Sequence, residues 1–245
     1  MSPLKSSFNY SFGEGDGTPR IVTDGLVLNL DAARQNSYAG IGTFWRDLSG
    51  NGNTGTLVNG VGYNGSNGGS LSFDGVDDYA LVSSNASIPY GSTARTVSIW
   101  FYTNTTTWAN DVNSLFFYGS GINGNAFGID FSTYPSMEVY TWGGAGRDLT
   151  FSTTYSQVGW KNITVTYNGS TTILIYENGT FTQTFTLSSA CNTASSSVYI
   201  GAVNPSVLAG CYYNGNIAQV SIYNRALSAA EISQNFQALR GRYGI

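Results

Sequence analysis

From Arg95 to Thr103, Val97, Ile99 and Phe101 alternate with Ser98, Trp100 and Tyr102. A period of two residues puts the first set on one face of a β-strand and the second on the other. Segments of this kind recur along the chain: Leu26–Asp31, Ser70–Phe73, Tyr79–Val82, Ser114–Tyr118, Ala126–Phe131 and Met137–Trp142. Asn162–Tyr167, Thr172–Tyr176, Phe181–Leu187, Val198–Gly201 and Ile217–Tyr223 continue the series. Asp74-Gly75, Asn168-Gly169 and Asn178-Gly179 separate several of them, and such pairs supply the φ > 0 positions of tight turns. Short strands at this spacing predict an all-β sandwich or barrel.

One segment has a different period. Ser228-Ala229-Ala230-Glu231 has the form of a capping box, and Ile232, Phe236 and Leu239 follow on one helical stripe. A short C-terminal helix laid on the sandwich is expected, ending near Gly241. No break in composition divides residues 25–245, which read as one domain. Residues 1–24 read as an extended arm in which Phe8, Tyr10 and Phe12 recur at period two, suited either to adding as a strand to a partner's sheet edge or to folding back on its own sandwich.

Charge narrows the functional classes. Only 10% of residues are charged and the net charge is −4, with no run of Lys or Arg. Phosphate backbones and anionic membrane surfaces are bound through clustered cations, so neither nucleic acid nor membrane is an expected partner. The first residues lack the apolar core of a secretory signal. With no such signal, Cys191 and Cys211 are expected as reduced thiols, with a disulfide across a hairpin as the alternative.

The chain has no histidine. Ser-His-Asp and Cys-His nucleophilic machinery and histidine metal sites are therefore absent. Carboxylate catalysis of glycoside hydrolysis needs a close pair, which i and i+2 positions on one strand supply. Glu138 is flanked at those positions by Ser136 and Tyr140, Asp77 and Asp78 are adjacent, and Asp74 and Asp130 stand alone. The sequence thus predicts a non-catalytic protein.

Four stretches, in order, carry a family resemblance: Gly25–Asp31, Trp45–Asn53, Gly69–Tyr79 and Gly215–Glu231. The chain resembles the laminin-G-like, concanavalin A-like lectin/glucanase superfamily in its microbial and phage form. The resemblance implies an antiparallel two-sheet jelly roll. It also implies a calcium ion on one rim, although Ala218-Gln219 stand where related chains tend to carry an acidic pair. Asp47, Asn51 and Asn53 are the remaining candidate oxygen ligands; the alternative is a metal-free Asx-turn loop and no cofactor.

Two functions follow from the resemblance. The first is a phage virion structural protein, on the capsid surface or in a tail or fibre, that contacts other virion proteins through its sandwich and arm. The alternative is a lectin-like module for host-surface glycans. Its candidate residues are Trp108, Trp142, Tyr212 and Tyr213, aromatic side chains near turns that also carry polar groups. Trp100 and Trp160 are expected in or near the core.

Overall fold

The computed structural model describes residues 20–103, 113–132, 136–154 and 158–245. Its strands begin with β1 (Leu26–Asp31), β2 (Phe44–Trp45), β3 (Gly55–Val58), β4 (Gly62–Asn64), β5 (Ser70–Asp74), β6 (Tyr79–Val82), β7 (Arg95–Thr103) and β8 (Asn113–Gly119). They continue with β9 (Ala126–Phe131), β10 (Ser136–Tyr140), β11 (Asp148–Ser152), β12 (Gly159–Tyr167), β13 (Thr172–Glu177), β14 (Thr180–Thr186), β15 (Val198–Ile200) and β16 (Asn214–Tyr223). One helix, α1 (Ala229–Tyr243), follows.

The strands form two antiparallel sheets. The first has the order β14-β13-β12-β7-β16-β5-β4, with β1 also paired to β16. The second runs β11-β10-β9-β8-β15-β6-β3-β2. The facing sides of the two sheets share one core, to which Leu28, Leu30, Val97, Ile99, Phe101, Phe127, Ile129, Val165 and Val220 belong. The expected jelly-roll sandwich is thus the architecture found.

β7 shows why alternation alone understates burial. Its Val97, Ile99 and Phe101 face the inner core, yet Trp100 on the other side is also buried. The reason is α1, which lies on the outer face of the first sheet. Its Phe236 stacks on Trp100 with ring centroids 5.4 Å apart, and its Tyr243 stacks at 4.3 Å. Trp160 packs at 4.6 Å from the same Tyr243, so both tryptophans lie where the sequence placed them.

The capping box is present: Ser228 accepts from the Glu231 amide, and the Glu231 carboxylate accepts from the Ser228 amide. The helix does not stop at Gly241. It runs through to a left-handed cap at Gly244, φ 71°. Tyr243 falls four residues after Leu239 and extends the buried stripe onto Trp100, which outweighs the roughly 1 kcal/mol cost of one helical glycine. Residues 20–24 are tied to this helix. The Val22 amide donates to Asn235 Oδ1 at 2.7 Å, and the Tyr223 hydroxyl donates to the Val22 carbonyl at 3.0 Å.

Cys191 and Cys211 are both free and buried. Cys191 belongs to the core between the sheets, whereas Cys211 belongs to a separate cluster with Phe117, Ala126 and Tyr140. The second sheet stands between them, which removes the disulfide alternative. Burial pushes the Cys211 thiol up to about 11. Among the described residues no helix is long and apolar enough to cross a membrane.

Candidate functional site

The register of the second sheet assembles a site on its outer face. Directly opposed residues of an antiparallel pair project to the same side. One such row is Tyr199 of β15, Phe117 of β8, Gly128 of β9, Tyr140 of β10 and Asp148 of β11. The next row is Ser114, Asp130, Glu138 and Thr150. Asp130, Glu138 and Asp148 therefore come from three neighbouring strands and share one face.

Gly128 makes this packing possible. A Cβ there would meet Tyr140 Cζ at 2.1 Å, so the phenol ring lies directly over the glycine. That placement brings the Tyr140 hydroxyl to the Asp130 carboxyl, with Ser114 beside it. Asp130 is only 2% exposed; the Ser114 and Tyr140 hydroxyls face its carboxyl, and its Oδ1 completes no hydrogen bond. Burial pushes Asp130 up to about 7; the Ser114 and Tyr140 hydroxyls hold it back in part, and the Glu138 charge adds a smaller upward push. Glu138 is raised by burial and then by Asp148. A carboxyl in a low-dielectric site behaves this way, because desolvation penalises its charged form.

The loop after β10 closes the pocket. β10 ends at Tyr140, short of the expected Trp142. Trp142 instead holds a left-handed backbone, φ 67°, a costly conformation for a bulky residue. Its ring packs edge-on to Phe117 at 6.3 Å and tilted to Tyr140 at 6.2 Å. Gly143 and Gly144 follow, also at positive φ. The Gly144 amide donates to Asp148 Oδ2 at 2.5 Å, while Asp148 Oδ1 has no partner. Asp130, Glu138, Tyr140, Trp142, Asp148 and Leu208, with the two glycines, line a pocket of about 300 Å³. Chemically it offers an aromatic wall and a floor of hydrogen-bond acceptors.

The other candidate residues are dispersed. Tyr212 is half-buried on the bridge to Ala202 and does not line this pocket. Tyr213 is a correction: it is 0% exposed, and its hydroxyl donates to the Tyr102 carbonyl at 2.9 Å. Neighbours in an extended backbone point opposite ways, so only one of the tyrosine pair faces outward. Trp108, Phe8, Tyr10 and Phe12 lie outside the described residues.

Asp47, Asn51 and Asn53 are turned toward the protein. Asp47 Oδ1 accepts from the Asn29 and Ser49 amides at 2.9 Å each, and Oδ2 accepts from Ser49 Oγ and the Asn53 amide. The Asn51 and Asn53 side chains donate to the Leu26 and Val27 carbonyls. The three residues fasten their loop to β1. A different acidic group gathers at the turn after β5, where carboxylate oxygens of Asp74, Asp77 and Asp78 lie within 4.8 Å of one another.

The Asp130–Glu138 pairing is invisible to a same-strand spacing test, which is why the sequence left Asp130 isolated. The signal that marks it is Gly128: a glycine inside a strand often means that another group approaches the backbone closely.

Comparison with known proteins places this geometry in a family. No curated protein sequence matches the chain. Among solved structures, the binding domain of botulinum neurotoxin DC, in complex with rat synaptotagmin II, has a TM-score of 0.67 at 15% identity over 89% of this chain. The binding domain of Paraclostridial Mosquitocidal Protein 1 has a TM-score of 0.64 at 18% identity over 87%. A botulinum neurotoxin type C structure, concerned with cell entry dependent on two ganglioside molecules, has 0.65 at 16% over 89%. This chain spans about half the length of each, 52%. The Laminin_G_3 family matches residues 73–233. That segment holds β6 through β16, the whole pocket and the start of α1, and the chain belongs to this family of the concanavalin A-like lectin/glucanases superfamily.

Proposed function

We propose that this chain is a lectin-like binding module that takes a glycan in the pocket of Asp130, Glu138, Tyr140, Trp142 and Asp148. The observation that carries the reading is Trp142. Its backbone is held in a strained conformation while its ring forms a wall beside unpaired buried oxygens. Strain of this kind is retained where it serves a site. An aromatic wall meets the apolar face of a sugar ring, and the acceptors meet its hydroxyls.

The fold neighbours support binding rather than catalysis. Several matched structures are of binding domains, one of them, of botulinum neurotoxin DC, in complex with SialylT, and the type C structure concerns cell entry dependent on two ganglioside molecules. A part in virion assembly, the other expectation from the sequence, would rest chiefly on residues 1–19, outside the described residues. None of the matched proteins named above is a virion component, and the glycan reading has the better support. Asp130 is buried beside the Tyr140 hydroxyl, which suits a hydrogen-bonding group in the pocket floor better than an acid that reaches substrate.

A glycan array probed with the full chain and with Trp142→Ala tests the reading. Binding by the native chain should vanish in the variant, with Tm lowered by only a few degrees, since the ring is partly buried. Equal binding by both proteins overturns the assignment of this pocket.

A further inference from the structure

We propose that the glycan bound here carries a free amino group, as a 2-amino-2-deoxy sugar does; this rests on the glycan reading above and names its substrate class. The pocket is lined by Asp130, Glu138 and Asp148, and no Lys or Arg is among its lining residues. Arg147 adjoins Asp148 in sequence but turns its guanidinium away, to the Ser189 and Ala190 carbonyls and the Ser189 hydroxyl. The cationic partner that acidic side chains in a partly desolvated pocket call for is therefore not supplied from the pocket wall.

The arrangement discriminates among sugars by charge. A sialylated glycan would bring a further carboxylate into an acidic cavity and be repelled. A neutral sugar would satisfy acceptors through its hydroxyls but leave the charge uncompensated. An ammonium group offers positive charge and several N–H donors at once. Asp130 Oδ1 and Asp148 Oδ1 are buried acceptors without partners, both in the pocket lining. Trp142 adds an aromatic face, to which a cation is drawn electrostatically.

The test is isothermal titration of the full chain, near pH 6 and at physiological salt, with a glucosamine tetramer, the N-acetylglucosamine tetramer, a sialylated trisaccharide and spermidine. The glucosamine tetramer should bind at least tenfold more tightly than each of the others. Glu138→Gln and Asp148→Asn should each weaken it by roughly tenfold, the size of one charge-assisted hydrogen bond. Asp77→Asn, an equal charge change on an exposed turn outside the pocket, should leave it unaltered.

Equal or tighter binding of the N-acetylated or sialylated sugar overturns the amino-sugar inference while the glycan reading stands. Spermidine binding as tightly as the tetramer, or Asp77→Asn weakening binding as much as Glu138→Gln, overturns it too, by showing general attraction to an acidic chain. If no glycan on the array binds the native protein, the glycan reading itself falls, and this inference with it.

Discussion

Replacing Asp130 by Asn should change how stability depends on pH. In the folded chain burial raises this carboxyl from 3.8 to about 7. Between those values the folded state binds a proton that the unfolded state has released. Stability therefore falls as pH rises: the contribution is fully present below pH 3.8 and is lost as pH climbs through 7. The full shift corresponds to about 4 kcal/mol above pH 8, of which roughly 2–3 kcal/mol falls between pH 5 and pH 8. Asn has nearly the same shape and no charge, so the variant should lack this slope. Urea unfolding of both proteins across that range, followed by tryptophan fluorescence, reads the difference directly. Asp130→Asn should gain on the native protein by roughly 2–3 kcal/mol from pH 5 to pH 8. A difference that stays constant with pH would show that Asp130 ionises as an ordinary surface carboxylate, and the desolvated pocket floor would be wrong.

Gly128→Ala should displace the Tyr140 ring, since the new methyl would sit 2.1 Å from Tyr140 Cζ. A loss of about 1–3 kcal/mol in urea unfolding, together with loss of glycan binding, is expected; unchanged stability would mean the ring has room to move. Ser228→Ala removes the hydroxyl that accepts from the Glu231 amide. It should cost about 1 kcal/mol and lower Tm by about 2–4 °C with binding intact, as calorimetry and titration would show.

Much of the fold is written in local pattern. β6, β7 and β9 have the bounds that alternation predicts, because a buried face forces period two and Gly or Asn turns set the ends. β2, β3, β4 and β11 are not legible in this way. They are short, and β3 and β4 begin with glycines. Such segments become strands only because neighbouring strands present free edges to them, which is tertiary information. The same division runs through the site. Trp142 stands out as an aromatic residue ahead of two glycines. The meeting of Asp130 with Glu138 depends on the offset between β9 and β10, and a single strand carries no record of that offset. Tyr212 and Tyr213 look alike in sequence and differ only in which way each faces.

The placement of β16 bears on how the chain is made. This ten-residue strand sits between β7 on one side and β5 and β1 on the other. Its partner β1 lies nearly two hundred positions earlier in the sequence. A ribosome must therefore release everything from β1 through β16 before the middle of the first sheet can close, and until then the inner edges of β1, β5 and β7 remain unpaired. Contacts between such distant parts of a chain form slowly and leave apolar edges open to wrong partners. A chain halted before residue 214 would retain every residue of the pocket, yet its scaffold would lack the strand that joins its two halves, and it should collect in aggregates rather than bind sugar.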